Sequence, residues 1–137
     1  MNVTVIRFVV LTLVLLVTAN CQGRRGQYET EPRQAVCFTV ESADNFSTEL
    51  FDFLRNNSMG ASRHVNPSGT HNINVINAWN DNMFVTAVNG LYEHEMTIYF
   101  YLKNNQEDQY EIDVMNSSIR DHMMDLGYDL CQNADPT

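Results

Sequence analysis

The chain has 137 residues, of which 44% are hydrophobic, 10% aromatic and 18% charged, a size that fits one domain with a sizeable core. Eight Lys and Arg against seventeen Asp and Glu give a formal charge of −9, which excludes the basic surface that a nucleic-acid binder needs to displace counterions. The apolar share excludes a wholly disordered chain, and three cysteines are too few for a cysteine-stapled miniprotein.

The N-terminus carries an export signal. Arg7 precedes the run Phe8 to Val17, apolar at every position but Thr12. Ten helical residues span about 15 Å, half of a hydrocarbon core of about 30 Å, so the run suits a signal-peptide h-region and not a membrane span. Small residues permit cleavage after Ala19 or after Cys21, and the second leaves the more usual c-region. Residues 1–21 are therefore read as a signal peptide of a secreted, extracellular protein. Removing them takes away Arg7 alone among the charged residues and leaves 7 basic against 17 acidic side chains, net −10.

Losing Cys21 also leaves an even pair, Cys37 and Cys131, expected as a disulfide in an oxidising compartment. Three sequons follow, at Asn45, Asn56 and Asn116, and are expected glycosylation sites on exposed turns and helix ends. Asn66-Pro67-Ser68 is excluded by its proline.

Residues 22–34 are polar, rich in Arg and Gly and without periodicity, and read as a flexible leader. Arg24-Arg25 and Arg33 are candidate processing points in it. Residues 35–132 read as a single α+β domain, and 133–137 as a tail. Val36, Phe38 and Val40 alternate with Cys37, Thr39 and Glu41, the pattern of a half-buried strand. Phe46, Leu50, Phe53 and Leu54 follow at helical spacing, with Ser47 and Glu49 suited to a helix start, which predicts a helix from about Thr48 to Asn57.

Residues 59–70 hold Gly60, Pro67 and Gly69 and read as loop. Strands are predicted over His71 to Trp79 and Met83 to Val88, the latter closed by an Asn89-Gly90 hairpin turn. Another covers Glu95 to Lys103, with Met96, Ile98, Phe100 and Leu102 on one face and Thr97, Tyr99 and Tyr101 on the other. Tyr110, Ile112 and Val114 alternate as a fifth strand. A short last helix is predicted from Ser118 and Asp121, a capping-box-like pair, to Gly127 at its C-cap. The fold class is α+β: an antiparallel sheet of about five strands, one helix after the first strand and a short C-terminal helix.

Catalytic motifs are missing: there is no GxSxG elbow, P-loop, dinucleotide-binding glycine pattern or HExxH. Glu93 and Glu95 flank His94, but strand alternation places the carboxylates on one face and the imidazole on the other. The four histidines, His64, His71, His94 and His122, lack the spacing of a compact metal site, so no cofactor or metal is expected. Clusters at Glu107, Asp108, Glu111 and Asp113, and at Asp121, Asp125 and Asp129, offer weak calcium binding at most, without an EF-hand pattern.

The order strand, helix, strands is similar to that of the cystatin protease inhibitors. Their Gln-x-Val-x-Gly hairpin is absent, the turns here reading Asn80-Asp81-Asn82 and Asn89-Gly90. Their Pro-Trp hairpin is absent too, since the only tryptophan, Trp79, follows Ala78. The likeness lies in element order and carries no site residue.

These observations predict a secreted, N-glycosylated, non-enzymatic domain that binds an extracellular protein or matrix component. An acidic component of an extracellular or mineralised matrix, and an effector or toxin-like protein released by cutting at Arg33, are the alternatives. The candidate binding surface is Trp79, Tyr99 and Tyr101, since aromatics with a polar tip are enriched at interaction hot spots. The same three residues also suit the covered face of a two-sided sheet.

Overall fold

The computed structural model describes residues 27–69, 71–89 and 93–132. The expected signal peptide (residues 1–21), residues 22–26 with Arg24-Arg25, Gly90 of the predicted turn, and the 133–137 stretch read as a tail lie outside the described residues. The fold is α+β, one antiparallel sheet of six strands with two helices, one after the first strand and one C-terminal. The strands are β1 (Gln34–Thr39), β2 (Gly60–Ser68), β3 (His71–Trp79), β4 (Met83–Val88), β5 (Glu95–Leu102) and β6 (Asp129–Leu130). The helices are α1 (Ala43–Asn56) and α2 (Tyr110–Asp125). The sheet order is β2-β3-β4-β5-β1-β6.

Alternation sorts each strand. Val36 and Phe38, Ile76 and Ala78, Met83, Val85 and Ala87, and Met96, Ile98, Phe100 and Leu102 all enter one core with Phe46, Leu50 and Leu54 of α1. Ile112, Ile119 and Met123 of α2 complete it. Both helices thus cover the same face.

Four element assignments differ from the sequence reading. Helix α1 begins at Ala43, five residues before Thr48, because Ser42 caps it by accepting the Asn45 amide hydrogen at 3.2 Å. Ser47, read as a start residue, is buried in the helix interior. Residues 60–68, read as loop, form strand β2, paired along its whole length with β3. It is an edge strand, where Pro67 and polar side chains are tolerated, and its exposed residues erase the alternation that marks a half-buried strand.

Residues 110–114, read as a strand, form the first turns of α2. Ile112, Asn116, Ile119 and Met123 are its buried stripe, while Tyr110 and Val114 are exposed. A five-residue window cannot separate period 2 from period 3.6, and Glu111 and Asp113 favour a helix N-terminus. Ser118 and Asp121 accordingly lie mid-helix. The C-terminus is as read: Gly127 (φ 101°) donates to the Met124 carbonyl and Tyr128 to that of Met123, a Schellman motif. The fourth difference is β6, two residues after α2 that the sequence reading left without an element and that pair with Phe38 and Thr39 of β1. At the end of β4 the buried Asn89 extends the sheet with its side chain, accepting from the Asn74 amide and donating to the Asn72 carbonyl at 2.9 Å.

The expected disulfide is present. Cys37 on β1 bonds to Cys131 just after β6, 94 positions away, and the Cys131 amide donates to the Cys37 carbonyl at 2.9 Å. Closing so long a loop restricts the unfolded chain by about 4–5 kcal/mol in the entropic model. Replacing both cysteines with serine is expected to lower unfolding free energy by up to about 4 kcal/mol. A urea titration followed by circular dichroism checks this, with the midpoint falling and the native signal retained in buffer.

Candidate functional site

The sheet's second face carries the three aromatic residues singled out in the sequence. β3 pairs with β4 so that Trp79 sits opposite Phe84, and β4 pairs with β5 so that Phe84 sits opposite Tyr101 and Thr86 opposite Tyr99. Cross-strand neighbours on one face stand about 5 Å apart, so the register gathers the rings. Phe84 and Tyr101 are buried together, with ring centroids 6.0 Å apart, and the half-buried Trp79 and Tyr99 pack against them. The structure therefore brings Trp79, Tyr99 and Tyr101 into one cluster and adds two members, Phe84 and Tyr28. Phe84 lies within the apolar run Met83-Phe84-Val85, where only strand register tells which face it joins.

Tyr28 comes from the segment read as a flexible leader. Residues 27–33 run beside the sheet. The Glu29 amide donates to the Leu102 carbonyl at 2.8 Å, the Arg33 amide to that of Phe100 at 2.7 Å, and the Asn104 amide to that of Gln27 at 2.7 Å. Tyr28 is 5% exposed, its ring lies 5.7 Å from Phe84, and its hydroxyl donates to the Asn80 carbonyl at 2.7 Å. The Arg33 guanidinium holds the Glu29 carboxylate through two bonds of 2.7 Å, and these bonds lower the Glu29 pKa and raise that of Arg33. The one aromatic ring in a polar stretch was the available signal for this packing.

Trp79 is set by a glycine. It sits opposite Gly60, and a Cβ on Gly60 would fall 2.4 Å from the indole Nε1. The ring occupies the space that any other residue on β2 would fill.

The expected glycan acceptors separate into two groups. Asn45 and Asn56 are exposed on α1. Eleven positions apart, they lie about 20° apart around the helix axis and about 16 Å along it, on the outward side. Asn116 is placed differently from these two. It is 9% exposed on the buried stripe of α2, and its amide nitrogen, the atom a glycan would occupy, donates to Gln34 Oε1 at 2.7 Å. A sugar at that nitrogen would separate α2 from β1.

A cavity of about 660 Å³ opens at the other end of β1, lined by Val40, Ser42, Asn45, His94, Leu126 and Tyr128 among others. His94 lies in the turn before β5, its Nδ1 3.3 Å from the Val40 carbonyl. Glu93 shares that turn, so the strand alternation invoked for Glu93 and Glu95 does not apply. Tyr128 packs edge-on against Phe46 at 4.9 Å. Burial first, then a hydrogen bond and the charge of Glu49, push its phenol up to about 12. Among the described residues, the one set of three metal-ligating side chains close enough for an ion is Cys37, Glu95 and Cys131, whose sulfurs are bonded to each other.

No protein-family model matches the chain, and no curated protein matches it in sequence.

Two outcomes follow from this geometry. Gly60→Ala should displace the indole and cost about 1–3 kcal/mol, as overpacking does. The emission of Trp79, the only tryptophan, will report the move directly. Tyr128, with its folded pKa above the ordinary tyrosine value of 10.0, stabilises the fold as the neutral phenol. That contribution is complete below about pH 10 and is lost as the pH rises through about 12. Tyr128→Phe should remove this part of the alkaline loss of stability, measured by denaturant titrations across that window.

Proposed function

We propose that this chain is a secreted, N-glycosylated, non-enzymatic domain that binds another extracellular protein through the second face of its sheet. The observation that carries the reading is the opposition of two surfaces. Both exposed sequons lie on the outward side of α1, on the helix-covered side of the sheet, and the aromatic cluster lies on the other side. Glycans on α1 would block that side to protein contact and leave the aromatic side accessible. Trp79 and Tyr99 supply the half-buried, polar-tipped rings that dominate binding energy at protein interfaces. Phe84 and Tyr101, packed beside them on the same face, hold them in place, so little side-chain freedom is lost on binding.

The export signal and the Cys37–Cys131 bridge support an oxidising, extracellular setting. Among the described residues no helix is long and apolar enough to cross a membrane. The net charge of −10 left after residues 1–21 (7 basic against 17 acidic side chains) supports solubility at high concentration and rapid encounter with a basic partner surface.

Glycopeptide mapping of the secreted protein is expected to find Asn45 and Asn56 occupied and Asn116 bare. Immobilised protein presented to the extracellular fluid of its source should retain a partner about 30-fold less well after Trp79→Ser with Tyr99→Ser, given about 2 kcal/mol for a lost hot spot. Retention should survive Asn45→Gln with Asn56→Gln. Equal retention by the aromatic variant, with its circular dichroism unchanged, overturns the reading.

A further inference from the structure

The geometry points to residues 27–33 as a removable cover on the aromatic face, released when an arginine-specific endoprotease cuts the chain between Arg33 and Gln34. This inference rests on the proposed binding face and adds how that face is regulated. Three features of the segment converge. Its anchor is a single ring: Tyr28 is 5% exposed against Phe84 and Tyr101, with its hydroxyl on the Asn80 carbonyl. Its bend, Glu31, Pro32 and Arg33, is exposed, and the Arg33 side chain is 42% accessible. The domain's own strand begins immediately after the cut, since Gln34 is the first residue of β1 and is paired with Phe100.

Exposed bends between ordered elements are where proteases act on folded chains. The step is a hydrolysis: the amide bond from the Arg33 carbonyl carbon to the Gln34 nitrogen breaks. Water supplies a hydroxyl to the new Arg33 carboxylate and a proton to the new Gln34 amine, with nothing oxidised or reduced. Cutting at Arg24-Arg25 instead would leave Tyr28 in place, so the position of the cut decides whether the face is uncovered.

On the downstream side, everything that ties β1 to the domain is retained. Gln34 through Thr39 stay paired with β5, Gln34 still accepts from Asn116 Nδ2, and Cys37 remains bonded to Cys131. On the upstream side, the released piece loses the covalent link that held Tyr28 at high local concentration. Without that link, the segment depends on non-covalent contacts alone, among them three main-chain bonds, the Tyr28 hydroxyl bond and the packing of its ring.

The test is limited digestion of the folded, disulfide-bonded protein with trypsin, followed by mass spectrometry, gel filtration and binding of the dye 1-anilinonaphthalene-8-sulfonate. The expected result is an early product beginning at Gln34 and loss of the fragment ending at Arg33 on the column. Dye fluorescence should rise several-fold with the far-ultraviolet circular dichroism unchanged. Tyr28→Ala in the uncut chain should raise dye binding in the same direction, and a synthetic peptide of residues 26–33 added in excess should lower it in the cut chain. Resistance of the Arg33–Gln34 bond until the whole chain unfolds overturns the proposal. So does a cut chain that keeps the fragment or takes up no more dye. Unfolding on cleavage also overturns it, by assigning the segment to the core. If dye uptake rises on cutting and is equal in the cut Trp79→Ser, Tyr99→Ser chain, the cover stands and the binding face proposed above does not.

Discussion

Both helices lie on one side of a sheet whose strands alternate, and that constraint governs the rest of the molecule. Every core residue on β3, β4 or β5 has neighbours pointing the other way, where neither of the helices among the described residues buries them. An antiparallel sheet in that position usually shows water a polar face. Here the second face holds Trp79, Phe84, Tyr99 and Tyr101, and the chain meets the cost of exposing them by laying Tyr28 against two of them. The aromatic cluster and the segment beside it are thus consequences of a single arrangement of layers.

The helix-covered side is held by a different kind of contact. Asn74 occupies an inward position on β3 and is fully buried. Its amide nitrogen donates to Asp44 Oδ1 at 2.8 Å, and its oxygen accepts from Arg63 at 3.2 Å. Arg63 also donates to Thr48 Oγ1 at 2.6 Å and to the Asp44 carbonyl at 3.1 Å. These bonds tie the N-terminal half of α1 to β2 and β3, and Asn89 continues them to the end of β4. A buried polar group without partners costs about 1–3 kcal/mol, so the network specifies where α1 docks more than it adds to stability. The disulfide does the equivalent work at the opposite sheet edge, where β6 pairs with β1 only at Phe38 and Thr39.

What the sequence made legible follows the same division. β4 and β5 could be read because each has one fully apolar face, as in Met96, Ile98, Phe100 and Leu102, whereas β1 was read from the alternation of Val36, Phe38 and Val40 and β3 from its β-branched residues. The bridge could be read from cysteine parity once Cys21 was assigned to the signal peptide. β2 could not, because an exposed edge strand is under no pressure to alternate, and its Gly60 and Pro67 carry loop signals for reasons seen only in three dimensions: the Trp79 ring and the missing partner strand. The start of α2 was misread because Tyr110, Ile112 and Val114 fit a strand as well as a helix. Of the candidate site, Tyr99 and Tyr101 were legible as aromatics on the non-core face of β5, and Trp79 as an aromatic at the end of β3. Phe84 needed the β4–β5 register, and Tyr28 needed a contact across more than fifty positions of sequence. Asn116 looked like any other sequon, since nothing local distinguishes a helix stripe that faces β1 from one that faces water.

The balance of forces on residues 27–33 explains how a segment can be ordered and still be separable from the domain. Its gains are one buried ring and a few hydrogen bonds, most of them to main-chain groups at the end of β5. Against these stands the backbone entropy of fixing the whole stretch, a term of the same order per residue as each hydrogen bond contributes. The Glu29–Arg33 pair adds little, because both side chains are solvent-accessible and such pairs are screened. It weakens further as the pH falls and Glu29 takes up a proton. The core strands, by contrast, share one continuous apolar cluster and a disulfide. A segment held by local terms of nearly equal and opposite size opens at a fraction of the global free energy. That difference in stability is what would favour the 30–33 bend over the adjoining strand as the place where a protease engages the folded chain.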